Sequence, residues 1–416
     1  MQADRNGLWR HADFLRLWAG TALVDTGASV TNLALPLVAI VTLGAGPAQL
    51  GMLIALRQAP VPLFGLFTGV WVDRRPRRPL MVAARLGHAL LLASLPLAAA
   101  AGALRIELLY AVAFGLGVFA VVFDLAITSY LPSLVEPGQL VPANARLQLT
   151  HSAATVAGPG LGGLAVQAIG APLALGFDAL GSFATVFSLL RIRRREPLRA
   201  QRSGRASFAR EIGEGLRGAF AEPVVGAMIV CSTIGSFAGA VQQSVFLLFL
   251  TRELGISPAL LGGIVAAAGG AALLAALAAR PFAERFGPGP AMVGATLLWF
   301  AGAALIPLAG QRTGSALPLL LVAQLCLGFS LTLYSIHQIS LRQALVPAAL
   351  LGRVNATRRV LVFGAIPFGA LAGGALGEVF GLRAALWASA GIGFASFVYA
   401  AASPLHSARS IELGPL

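Results

Sequence analysis

The strongest constraint on what this chain can fold into is a repeat within it. Leu43-Gly-Ala-Gly-Pro-Ala-Gln-Leu-Gly51 aligns with Leu254-Gly-Ile-Ser-Pro-Ala-Leu-Leu-Gly262, an offset of 211 residues. In the same register Asp73-Arg74 falls on Glu284-Arg285, and Pro79, Met81 and Val82 fall on Pro290, Met292 and Val293. Asn144-Ala145 meets Asn355-Ala356, and Gly158, Gly162 and Gly163 meet Gly369, Gly373 and Gly374. One register held over about 120 residues marks a duplicated unit rather than chance. Composition says what the unit is made of. The 416 residues are 57% apolar and 11% charged, against about 25% charged for a soluble domain. With about 20 apolar residues per crossing, spans are expected near 16–43, 48–72, 80–101, 107–130, 145–168 and 171–192. Six more are expected near 224–250, 258–281, 290–309, 316–340, 357–378 and 382–403. The expectation is an all-α membrane protein of 12 transmembrane helices in two six-helix bundles. They cover 1–192 and 223–416 and are joined by a basic cytoplasmic linker at 193–222.

The charged residues narrow the chemistry. The net charge is +14, and every one of the 30 basic residues is arginine. Without lysine there is no G-x-x-x-x-G-K-[ST] phosphate loop and no Schiff base. The histidines form no H-E-x-x-H, and no serine sits in G-x-S-x-G. Cys231 and Cys326 lie in apolar runs and read as packing residues. No enzyme activity, cofactor or metal is expected. Arg105, Arg252, Arg312 and Arg383 fall in one set of short loops and Arg57 inside a span; the remaining 25 gather on the other side. The positive-inside rule then places both termini in the cytoplasm, and accounts for the charge without a nucleic-acid partner. Met1 to Asp13 lacks the continuous apolar stretch of a cleaved signal peptide. In the linker, Phe208, Ile212 and Leu216 keep helical spacing beside arginines, which suits anionic lipid headgroups or, alternatively, a partner protein.

Gly69-Val-Trp-Val-Asp73-Arg74-Arg75-Pro76-Arg77-Arg78, between the second and third spans, resembles the major facilitator superfamily loop G-x-x-x-D-R-x-G-R-[RK], with Pro76 where that pattern has glycine. Phe123-Asp124, Leu131-Pro-Ser-Leu-Val135 with Asn144-Ala145, and Phe177-Asp178-Ala179 with Ser182-Phe183 resemble the bacterial efflux branch that includes enterobactin exporters and macrolide-efflux proteins. The resemblance implies the major facilitator fold, with halves related by an axis along the membrane normal and a substrate site near the midplane. In the loop, Gly69 lets two helices approach, Asp73 faces the start of the eleventh helix near Asn355, and Arg74, Arg77 and Arg78 supply charge-assisted hydrogen bonds closing the cytoplasmic side. The alternative is that these arginines only set topology. Asp124, near the cytoplasmic end of the fourth span, extends this latch or serves its own helix end. Gly158-Pro159-Gly160-Leu161-Gly162-Gly163 resembles the end of the family's antiporter motif, with Ala154 upstream where a glycine is expected. A bendable helix and plain close packing are both open.

Ionisable groups inside spans are functional candidates by default. At 1.5 Å per residue Asp25 and Arg57 both reach the midplane, and an Asp25–Arg57 pair carrying a proton or contacting substrate is expected, with a static ion pair as the alternative. Gln242, Gln243, Gln324, Tyr334 and His337 are the second half's candidate substrate contacts or helix-packing groups. Asp178 reads as structural, and no role is assigned to His88 or His151. The function expected is export of an amphiphilic small molecule, drug or siderophore-like, by proton antiport from a monomer in the bacterial inner membrane. An uptake system or facilitator of the same fold is one alternative, and a non-transporting receptor or lipid-interacting scaffold another.

Overall fold

A computed structural model describes residue 8 and residues 11–65, 75–192, 216–310 and 313–408. Twelve long helices run through the described residues. The first repeat holds α1 (Ala12–Leu37), α2 (Pro47–Gln58, helical again to residue 65), α3 (Arg77–Ala100), α4 (Ile106–Leu134), α5 (Leu140–Ile169) and α6 (Ala171–Leu190). The second holds α7 (Pro223–Leu248), α8 (Pro258–Phe286), α9 (Pro288–Leu305), α10 (Thr313–Leu345), α11 (Ala348–Phe380) and α12 (Leu382–Ala402). Ten of the described helical stretches are long and apolar enough to cross a membrane. Of the other two, α5 has the length, at 30 residues, but not the hydropathy.

The 211-residue register persists in the backbone. The α1 and α7 bounds differ by that offset at both ends, and each helix runs on into a π-helical turn, Val38–Thr42 and Phe249–Glu253. Gly44 (φ 68°) and Gly255 (φ 64°) then break the chain at matching places, as do Gly170 (φ 83°) and Gly381 (φ 88°) before α6 and α12. Only glycine takes this left-handed backbone without strain.

Several helices are longer than hydropathy predicts. α4 runs to Leu134 and α10 to Leu345, while α5 starts at Leu140 and α11 at Ala348, ahead of the expected 145 and 357. Hydropathy marks only the apolar stretch, whereas a helix once started propagates through polar residues such as Asn144 and Arg353. Asn355 therefore lies inside α11, two turns beyond its first residue. The helix start expected near Asn355 is corrected accordingly to Ala348. Gly69, Asp73 and Arg74 themselves lie outside the described residues.

Large apolar side chains face outward on many helices, and a minority of polar ones is buried inside. On α6, Asp178, Ser182 and Thr185 are buried, while Phe177, Leu180 and Phe187 are exposed. That inversion suits lipid, where the hydrophobic effect no longer drives helix against helix and small residues and hydrogen bonds take over.

Clustering of contacts divides the chain into two units. One comprises Met1–Ala45, Leu56–Ser203 and Ser257–Ala266; the other comprises Gly46–Ala55, Gly204–Ile256 and Ala267–Leu416. The first turns of α2 thus group with the second repeat and those of α8 with the first. In the first unit α1 packs on α5 and α6, and α3 on α4 and α6. Thr185 of α6 donates to the Gly20 carbonyl oxygen of α1 at 2.9 Å, and Trp18 Nε1 of α1 to Thr150 Oγ1 of α5 at 2.9 Å. One end of this unit is sealed by Phe14, Leu17, Met81, Tyr130 and Ala143. In the second unit α7 packs on α11 and α12, and α9 on α10 and α12. The residues at the matching offsets, Val225, Met228, Met292, Leu341 and Val354, seal its end.

Each unit contains one glycine-on-glycine joint, and the joints match. In the first, a Cβ on Gly262 would strike the Pro159 carbonyl oxygen and stand 3.0 Å from Gly163 Cα. In the second, a Cβ on Gly51 would stand 2.5 Å from the Ala370 carbonyl oxygen and 3.0 Å from Gly374 Cα. Beside each joint a side chain from the partner helix caps a free helix-start amide. Ala259 N–H donates to Gln167 Oε1 at 3.1 Å, and Ala48 N–H donates to Glu378 Oε2 at 3.2 Å. Glu378 is Gln167's equivalent in the repeat. Gly51→Ala and Gly262→Ala are each expected to destabilise the purified protein by about 1–3 kcal/mol, the usual cost of overpacking, seen as a lower thermal unfolding midpoint. Gly263→Ala, with nothing within 4 Å of the added carbon, is expected to leave the midpoint unchanged.

Candidate functional site

In the first unit the polar residues of the spans form two clusters. Asp178 on α6 is fully buried. Its carboxylate accepts from Thr31 Oγ1 of α1 at 2.7 Å, lies 3.3 Å from His88 Nε2 of α3, and takes a longer contact from Ser182 at 3.4 Å. The helices meet here because residue 27 is glycine: a Cβ would stand 2.8 Å from the Asp178 Cα. Three helices are thereby tied to one buried acid, which supports the structural reading of Asp178. His88 is its partner, and Nδ1 of that ring is buried without a hydrogen bond among the described residues.

The second cluster contains Asp25. The expected Asp25–Arg57 pair does not form; no ion pair joins them among the described residues. The Asp25 carboxylate instead lies 3.3 Å from His151 Nδ1 of α5, with side chains 16% and 60% exposed. Arg57 is half-buried near the end of α2, its carbonyl oxygen against Gly117 of α4. Behind this pair Arg85 of α3 is buried with its guanidinium 3.6 Å above the Phe123 ring, a cation–π stack that lies within electrostatic reach of Asp178, Asp124 and Asp25.

The other expected groups fall into distinct places. Arg78 donates through Nε to the Leu189 carbonyl oxygen at 2.8 Å and through Nη2 to that of Leu190 at 2.5 Å. Arg16 reaches the Arg191 carbonyl oxygen at 2.8 Å. Cations thus satisfy the open C-terminal carbonyls of α6, an attachment inside one unit. Arg77 is buried at the start of α3, and Asp124 is exposed on α4. Gly158 and Gly162 bring α5 onto Ser29 and Val30 of α1, and Gly163 and Pro159 form the joint with Gly262. Close packing accounts for all four residues of that motif.

The second unit encloses a cavity of about 320 Å³ walled by α7, α9, α10, α11 and α12. Tyr334 of α10 is in its wall, donating to the Met228 carbonyl oxygen at 3.1 Å and accepting from Ser232 at 3.3 Å. Gln338, one turn on, donates to Ser232 and to the Met228 carbonyl oxygen. Trp299, Ser236, Thr296, Ser330, Ser335, Ser396 and Arg358 add to the polar lining. Gly393 makes room for the Trp299 ring, which a Cβ there would overlap. Of the five polar residues expected to meet substrate in this half, only Tyr334 is in this wall. Gln324 and His337 are buried elsewhere on α10, Gln242 is half-buried, and Gln243 is exposed.

Gln338 and Arg358 were not anticipated, yet the repeat carries a signal for the site. Shifted by 211, Asp25, Arg85, His88 and Phe123 become Ser236, Thr296, Trp299 and Tyr334, and His151 becomes Val362, all in the cavity wall. The position that the first unit fills with ionised and stacked groups is open and hydroxyl-lined in the second.

Comparison with known proteins agrees with this architecture. A family model described as a transmembrane secretion effector matches residues 8–415. The enterobactin exporter EntS of Escherichia coli O1:K1 is 26% identical over 310 residues, covering 74% of this chain and 71% of its own. Among solved structures, a D323A mutant of the nucleoside transporter NupG superposes with a TM-score of 0.79 at 14% identity, over 94% of this chain and 99% of its own. A bacterial homologue of the iron transporter ferroportin, in an inward-facing state, does so with 0.73 at 18% identity, over 93% and 97%. A multi-pass membrane protein of duplicated six-helix halves, this chain belongs to the transmembrane secretion effector family of the major facilitator superfamily.

Proposed function

We propose that the chain exports an amphiphilic small molecule, drug or siderophore-like, from the cytoplasm across the bacterial inner membrane in exchange for protons, acting as a monomer with both termini cytoplasmic. The observation that carries this reading is the Asp25–His151 pair. It joins a carboxylate and an imidazole 3.3 Å apart on two different helices, and neither side chain is sealed from outside. Such a pair can take a proton from one side and release it when the helices part. The buried Asp178, tied to three helices, is a poor carrier by the same standard. Export as the direction is supported by the likeness to the enterobactin exporter. Ion-gradient energy is supported by a lysine-free sequence, in which no phosphate-binding loop of the Walker type exists. Coupling requires that protonation and cargo favour different members of a pair of states separated by a few kcal/mol.

Two substitutions separate the carboxylates. In everted membrane vesicles an acid interior is expected to drive accumulation of a labelled amphiphile by the native protein. Asp25→Asn is expected to lower that accumulation about tenfold or more, with an unchanged thermal midpoint; full acid-driven uptake by this variant would remove Asp25 from the proton path. Asp178→Ala, which strands the Thr31 hydroxyl and His88, is expected to lose about 1–3 kcal/mol of stability, read as a lowered midpoint in detergent.

A further inference from the structure

We infer that the cavity of the second unit is a binding site for the anionic head of an aromatic or amphiphilic cargo, with Arg358 as its counter-ion and Trp299 as the surface for its apolar body. Among the described residues the wall contains one cation and no carboxylate. The Arg358 Nε is buried and has no hydrogen-bond partner among the described residues. A guanidinium is always charged and carries five donors. Leaving a buried donor unmade is costly, more so when it is charged. In a span such a group normally pairs with another residue or marks a substrate path.

Internal neutralisation is not at hand. The chain has no aspartate after Asp178, and the glutamates that follow Glu222 are Glu253, Glu284, Glu378 and Glu412. Of these, Glu253, Glu284 and Glu378 are among the described residues, and none of the three is in the wall. The repeat makes the contrast sharper. The Asp25 carboxylate of the first unit is replaced at its equivalent position by Ser236, and the Phe123 ring that shields Arg85 is replaced by Tyr334, whose hydroxyl already serves Met228 and Ser232. Arg358 stands where the first unit has Leu147. Each of the two related bundles thus holds a guanidinium at this site, on a different helix, and only the second withholds the carboxylate. The remaining wall suits a flat organic anion. Trp299 offers a ring held against Gly393, Leu331 and Val362 are apolar, and the hydroxyls of Thr296 and Ser396 already donate to the Val293 and Cys231 carbonyl oxygens, which leaves the Arg358 guanidinium as the donor that an anion would meet. This is the chemistry of a carboxylate, sulfonate or phenolate on an aromatic frame. A lipid phosphate shares the anion, and the test separates the two.

The inference rests on the exporter reading for its biological sense, but binding is measured without transport. The full chain, purified into phosphatidylcholine nanodiscs, is titrated with three probes of one shape: radiolabelled 1-naphthoate, 1-naphthamide and 1-naphthylmethylammonium. Naphthoate is expected to bind about tenfold or more tightly than either of the others, the worth of one charge-assisted hydrogen bond. Arg358→Gln is expected to abolish that preference while the thermal midpoint is retained, and Arg358→Lys to keep part of it. Gly393→Leu, which drives Trp299 into the cavity, is expected to weaken all three probes. Adding phosphatidylglycerol to the nanodiscs is expected to leave naphthoate binding unchanged. Equal binding of the three probes, binding of none, or an undiminished preference in Arg358→Gln would overturn the assignment. Loss of naphthoate binding to phosphatidylglycerol would assign the site to a lipid headgroup instead of cargo. Absence of acid-driven transport alongside a charge-selective site would sink the exporter reading and leave this one standing.

Discussion

Everything in this structure depends on backbones lying close together. In lipid, apolar side chains gain nothing by leaving their solvent, so helices associate through dispersion contacts and hydrogen bonds, and both need short distances. Gly27 against Asp178, Gly158 against Ser29 and Gly262 against Gly163 supply them in the first unit. Gly369 against Phe237, Gly373 against Ser244 and Gly51 against Gly374 supply them in the second. At Gly27 and Gly20 the absence of a Cβ brings polar atoms within bonding reach, giving the Thr31–Asp178 and Thr185–Gly20 hydrogen bonds.

The duplication kept this scaffold and let the chemistry diverge. The ends of α1 and α7, the π-helical turns that follow them and two pairs of helix-breaking glycines agree between the repeats to the residue. The side chains within do not. One bundle concentrates acids, imidazoles and a stacked guanidinium; the other holds serines, a threonine, a tyrosine and an indole around empty space with a single cation. A proton-handling role and a cargo-holding role fit these two interiors respectively, and neither demands that the packing change.

Much of this was legible in the sequence, for reasons that also mark the limit. The repeat, the span count and the glycines of α5 are local patterns or fixed-offset patterns, and a single chain displays both. Partnerships across helices are not of this kind. Asp25 and His151 are 126 positions apart, and no periodicity announces that α1 and α5 turn these faces together. Depth alone matched Asp25 with Arg57, because rise per residue gives height in a bundle but not azimuth. The same blindness affected Gln338 and Arg358, polar residues inside the expected tenth and eleventh spans whose facing no periodicity announces. His337, adjacent to Gln338, faces a different way, since neighbours on a helix point about 100° apart.

The two caps beside the glycine joints have one more consequence. A carboxylate at a helix start is drawn to the peptide dipoles by about 0.3–1 kcal/mol, an attraction that dissolved ions screen; a neutral amide has only its hydrogen bond. Glu378 over Ala48 and Gln167 over Ala259 are therefore twins in shape with unequal sensitivity to the ionic strength outside. Brine slackens one fastening and spares the other, so a molecule assembled from near-copies need not loosen evenly.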